Sequence, residues 1–158
     1  MLTATERRRL GLKTVELARQ SLGVREDQGR NWGRWVRLYL QAAGLVFPAP
    51  WCAAFVSFKV NQAAGRLGLK ARWPRRAPTA VSSSGIYRWA KREGLLLREP
   101  EAGCVFLRRG GPTGYRHTGL VADVDRASRT IRTVEGNVRD QVTQRTLPWA
   151  GLAFIRVA

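Results

Sequence analysis

The stretch Pro50-Trp51-Cys52-Ala53-Ala54-Phe55-Val56-Ser57 carries the reading of this chain. A proline turn breaks there into an apolar, helix-periodic run that continues through Phe58 and Val60 toward Gly65, so a helix is predicted to begin near Cys52. The first turn of a helix has unpaired backbone N–H groups and the positive end of the helix dipole, and both favour a thiolate. The same N–H groups can hold the oxyanion of an acyl-transfer intermediate. The chain has one histidine, His117, far downstream. A thiol at a helix start with a single distant imidazole suggests a cysteine hydrolase, in which nucleophile and base are neighbours in space and not in sequence.

His117 opens His117-Thr118-Gly119-Leu120-Val121-Ala122, a β-like run that follows the glycine-rich polar segment from Arg108 to Arg116. It is therefore placed at the first residue of a strand, beside a loop, where a side chain is both held and reachable. Thr130-Ile131-Arg132-Thr133-Val134 alternates as a strand does and runs into Glu135-Gly136-Asn137, which taken alone reads as a hairpin turn. Glu135 or Asn137 could accept the other imidazole N–H and set its tautomer. Either would complete a nucleophile, base and orienter on three separate elements.

Around these motifs the pattern gives helices first and strands afterward. Helix one is predicted over residues 4–22 from the capping box Thr3-Ala4-Thr5-Glu6 and the stripe Leu10, Val15, Leu17, Ala18 and Leu22. Helix two covers 32–43 and is closed by Gly44; helix three starts near Cys52; a short helix runs from the Ser82-Ser83-Ser84 caps to Gly94. Residues 66–81, with Gly68, Pro74 and Pro78, read as a loop beside the groove. Strands are predicted at 104–108, 117–124, 129–135, 141–147 and 152–157.

Four segments in this order resemble the motifs of CHAP domains, the cysteine- and histidine-dependent amidohydrolases/peptidases. They are Pro50 to Ser57, Gly103-Cys104-Val105-Phe106, His117 to Val121, and Val134-Glu135-Gly136-Asn137. Glu26-Asp27-Gln28-Gly29-Arg30-Asn31-Trp32-Gly33 is similar to a loop that precedes the cysteine helix in bacterial and phage members. The resemblance implies an α+β, papain-like fold. In it, N-terminal helices, with the cysteine at a helix N-terminus, pack on an antiparallel sheet of about five strands. It also implies hydrolysis of amide bonds in peptidoglycan, endolysin-like, with Cys52, His117, Glu135 and Asn137 on the catalytic motif positions. Two positions depart from the family. Many members carry a glutamine just before the cysteine whose side chain contributes to the oxyanion hole, and here that residue is Trp51, so backbone amides or another side chain must do that work. Where the family often has Gly-Asp before the histidine strand, this chain reads Gly103-Cys104.

At 158 residues the chain suits one domain, 1–158, with no room for a separate wall-binding module. Two cysteines are too few for a disulfide framework; Cys104 reads as a buried strand residue. No run approaches the ~18 apolar residues of a membrane span. The N-terminal residues lack the apolar core of an export signal. The expectation is a monomer made in the cytoplasm that reaches the wall at lysis, from a virion or by injection. Net charge is +17, from 28 Lys and Arg against 11 Asp and Glu, which draws the protein to polyanions such as the anionic bacterial envelope. No nucleic-acid-binding signature is present, so no specific nucleic acid is expected. Glu26, Asp27 and Asn31 lack the dense alternating carboxylates of a calcium loop and read as polar loop and N-cap residues, with no metal or other cofactor expected. Trp51 and Tyr115 are the aromatics nearest the site in sequence and are candidates to line the substrate groove, although Trp51 could instead pack beneath helix three. Two rival readings stand beside the hydrolase. One is a papain-like protease on polypeptide; the other is a basic nucleic-acid or envelope-binding module with an inert buried cysteine.

Overall fold

The computed structural model describes residues 1–112 and 114–158. Four helices come first: α1 Ala4–Arg19, α2 Arg34–Ala42, α3 Cys52–Leu67 and α4 Ser83–Arg92, with a single 3-10 turn at Thr79–Val81 before α4. Six strands follow: β1 Leu96–Leu97, β2 Val105–Arg109, β3 Tyr115–Asp125, β4 Thr130–Val138, β5 Gln141–Pro148 and β6 Ala153–Ile155. They form one open sheet in the order β1-β6-β2-β3-β4-β5, and every pairing is antiparallel. The fold is α+β and consistent with the papain-like type. The sixth strand is the two-residue β1, too short to show a period in the sequence.

Helix boundaries differ from expectation where tertiary partners capture the chain. The Thr3–Glu6 capping box forms in both directions, but α1 stops at Arg19 and not at residue 22. The reason is β5: Gly23 N–H donates to the Val142 carbonyl at 3.0 Å, and Val142 N–H donates back to Val24 at 2.8 Å. α2 begins at Arg34, two residues late, because Trp32 N–H closes a turn on the Gly29 carbonyl and Asp27 Oδ1 takes the Arg34 N–H at 2.9 Å. Residues 66–81 do not border the groove as a free loop. Trp73 is buried, and its Nε1 donates to Ser57 Oγ, which in turn donates to the Ala80 carbonyl, so this segment straps the back of α3.

α3 is the central element. Phe55, Val56 and Val60 are fully buried, and burying each such side chain is worth roughly 1.5–3 kcal/mol. Its N-cap is Trp51, and no side chain caps it. Packing holds the helix, which leaves its first-turn N–H groups open to chemistry. The core that carries α3 runs from Leu10 to Ala158 and takes Val105, Leu107, Leu120 and Val134 from the sheet. A second, smaller cluster holds Cys104, Phe106, Val121, Ile131, Trp149 and Phe154. In β2 successive residues thus alternate between the two clusters, as the pleat requires.

Candidate active site

Cys52 is the first residue of α3, and His117 and Glu135 come to it from β3 and β4. Two glycines make the approach possible. A Cβ at Gly119 would lie 2.7 Å from both Glu135 Cγ and Phe106 Cε1, so the bare backbone there leaves the space that the glutamate occupies over β3. A Cβ at Gly136 would lie 2.8 Å from Phe55 Cβ and 2.9 Å from the Trp51 ring, so β4 touches the start of α3 only because it carries no side chain at that point. The glycines of the two sequence motifs are therefore contact positions between elements.

The imidazole is held from one side by a saturated carboxylate. His117 Nε2 lies 2.8 Å from Glu135 Oε1, and both side chains are buried, the glutamate completely. Arg145 on β5 grips the same carboxylate in a fork: Nη2 donates to Oε1 at 2.6 Å and Nε to Oε2 at 2.8 Å. Thr133 Oγ1 donates to Oε2 at 2.5 Å. Burial pushes the Glu135 carboxyl up, but hydrogen bonds from Arg145, His117 and Thr133 outweigh it and hold the pKa at about 2. Glu135 is thus an anion at neutral pH. With Nε2 engaged, Nδ1 is the ring nitrogen left for the thiol.

Burial would lower the pKa of His117, yet its hydrogen bonds to Cys52 and Glu135 and the negative charge of both raise it to about 9. Burial likewise opposes the Cys52 thiolate. His117, the Thr118 backbone N–H and the Ser83 hydroxyl together overcome this and bring the thiol below its ordinary value. The arrangement favours a thiolate–imidazolium pair, which can attack a carbonyl and then deliver a proton to a leaving amine. Cys104 is the opposite case: burial pushes its pKa up to about 12 and outweighs the weaker opposing effects of nearby backbone and of Arg156.

The sequence candidates meet different fates. Cys52, His117 and Glu135 are brought together; Asn137 is not. β4 continues through Glu135-Gly136-Asn137, and the hairpin turn comes later, where Val138 pairs with Gln141. Asn137 sits in an irregularity of the β4–β5 register with φ of +62°, and its Nδ2 points to Asn31 Oδ1 at 3.5 Å. The imidazole contact falls to Glu135 because that residue lies across Gly119. His117 is the third residue of β3, since pairing of Arg109 with Tyr115 carries the strand two residues further back. Trp51 does not line a groove: it is fully buried, and its Nε1 donates to Glu26 Oε1 at 2.8 Å. Glu26 Oε2 accepts the Asn31 N–H, so the upstream loop braces the helix start through its carboxylates. Tyr115 is partly exposed on the histidine strand, with its ring 4.5 Å from that of Tyr87 and the Arg109 guanidinium over it. Arg145, Thr133 and Ser83 were missed. The first two were within reach, because Thr133 and Glu135 are two apart on a strand and Arg145 is the cross-strand partner of Thr133.

The CHAP-domain family model matches residues 45–137, which takes in α3, the histidine strand and the glutamate strand. No curated protein and no solved structure matches the chain. The matched segment is more than half of the sequence, and the chain belongs to the CHAP domain family, whose members are amidohydrolases or peptidases.

Proposed function

We propose that this protein hydrolyses an amide bond of peptidoglycan, either the muramoyl-L-alanine bond or one within or between stem peptides, in an endolysin-like role. The observation that carries the mechanism is the line from Cys52 through His117 and Glu135, all buried, to the partly exposed Arg145. In this reading Cys52 attacks as thiolate with its proton already on His117. The carbonyl electron pair moves to oxygen; on collapse the C–N bond breaks and the imidazolium gives its proton to the departing amine. Water, deprotonated by the now neutral imidazole, then releases the acyl group from sulfur. Glu135 keeps the ring oriented and stabilises its charge, and Arg145 and Thr133 keep Glu135 in place.

The strong positive charge supports an anionic, polymeric substrate over a neutral peptide. Delivery to the wall at lysis, from a virion or by injection suits such a substrate. The test is digestion of purified sacculi, with free amino groups and released fragments followed by mass spectrometry. New amino termini at muramic-acid-linked alanine or at a stem-peptide bond are expected, and Cys52→Ala should yield none. Intact muropeptides together with cleavage of a denatured polypeptide would replace this reading with the polypeptide protease.

A further inference from the structure

The position ahead of the cysteine supplies no donor to a reacting carbonyl, because Trp51 is buried and its Nε1 is committed to Glu26. What stands beside the thiol comes from α4. Ser83, the first residue of that helix, is 7% exposed, and its Oγ lies 4.0 Å from Cys52 Sγ, its one side-chain hydrogen-bond partner among the described residues. Its neighbours are spent on the backbone. Ser82 Oγ accepts the Gly85 N–H at 3.0 Å. Ser84 Oγ accepts the Tyr115 N–H at 2.9 Å and donates to the Tyr115 carbonyl at 3.1 Å, pinning the start of α4 two residues before His117. The middle serine is therefore held at the thiol with its proton uncommitted to any backbone group among the described residues.

Resting on the cysteine-hydrolase reading above, we propose that Ser83 is a further catalytic residue, whose hydroxyl and the Cys52 main-chain N–H together bind the oxyanion of the attacked carbonyl. The spacing suits that task. An oxyanion donor must lie about 2.7–3.1 Å from the oxygen it serves. At 4.0 Å, Oγ is too far from sulfur for a strong direct bond, but an oxygen on the carbon bonded to Sγ comes within its reach. When the S–C bond forms and the carbonyl pair becomes the oxyanion, Ser83 donates a hydrogen bond and keeps its proton. The bond relaxes when the carbonyl is restored and the amine leaves with the proton from His117. The positive end of α4 favours the same charge.

Two reactions at Cys52 separate this role from a merely structural one. Acylation by p-nitrophenyl acetate passes through an oxyanion; alkylation by iodoacetamide displaces iodide at a saturated carbon and does not. Compared at equal thiolate fraction, Ser83→Ala should slow acylation by about 10²-fold and leave alkylation within about threefold of the wild type, while Ser83→Thr, which keeps the hydroxyl, should recover most of the loss. If the alanine variant does not fold, Ser83→Gly carries the same comparison. Acylation within about threefold of the wild type, or an equal fall in both reactions, overturns the proposal. Cys52→Ala distinguishes the underlying reading: sacculus digestion that survives in that variant removes the cysteine hydrolase itself, whereas unchanged acylation in Ser83→Ala removes only the serine's role.

Discussion

Cys52 and Cys104 are both buried, and their different surroundings give them opposite chemistry. One thiol has an imidazole, a strand N–H and a helix terminus beside it; at the other, burial dominates and no imidazole is within reach, since the chain's single histidine sits at Cys52. At neutral pH iodoacetamide should modify Cys52 far faster than Cys104, as peptide mapping of a time course would show. Cys52→Ala and His117→Ala should each cost at least about 10³-fold in turnover while leaving the far-ultraviolet spectrum unchanged. The lone histidine gives a direct pH test. Its proton should titrate near pH 9 by nuclear magnetic resonance, and Cys52→Ser should move that titration down, because the hydrogen bond and charge of the sulfur are lost. Activity should accordingly decline as pH rises through about 9, when the imidazolium is lost. Glu135 carries a stability signature of its own. Its folded pKa of about 2 lies below the ordinary 4.5, so its contribution is complete above pH 4.5 and is lost as pH falls toward 2. Urea midpoints measured across that window should fall more steeply for the wild type than for Glu135→Gln.

Between elements, the site depends on how closely strands and helix approach. Gly119→Ala places a methyl group against Glu135 Cγ and Phe106. The expected cost is about 1–3 kcal/mol of stability, from overpacking a filled interior, and chemical denaturation would measure it. Turnover should fall as well, because the glutamate cannot hold its position over β3. Trp51→Phe should keep most of the packing while losing the Nε1 bond to Glu26, loosening the 26–33 loop without touching the thiol. Much of this level was legible in the sequence: α3, α4 and five of the six strands follow from periodicity and caps. The errors came where a specific partner outside the element took hold of the chain. β5 ends α1 early, Asp27 delays α2, and the register of β4 with β5 carries Glu135-Gly136-Asn137 past the expected turn. Hydrophobic periodicity cannot register such bonds, because each depends on an individual backbone or side-chain partner and on strand register.

For the whole molecule, the charge of +17 sets how it meets its surroundings. If the basic surface concentrates the protein on an anionic envelope, its binding to sacculi should weaken as the Debye length shrinks from ~10 Å at 0.1 M salt to ~3 Å at 1 M. Thiol acylation by a small neutral ester should change little over the same range, since it needs only the groove; equal salt sensitivity in sedimentation and acylation would count against surface steering. No helix among the described residues is long and apolar enough to cross a membrane. Sequence alone determined that Cys52 opens a helix, that a single imidazole is available to it, and that helices precede strands, because caps, periodicity and residue counts are local properties. Tertiary structure alone decided that Glu135 and not Asn137 meets His117, that Arg145 and Thr133 saturate that carboxylate, that Trp51 is interior, and that Ser83 reaches the thiol. Each of these outcomes rests on strand register or on how closely two backbones pack, and a shift of one residue along a strand would put a different side chain at the same place.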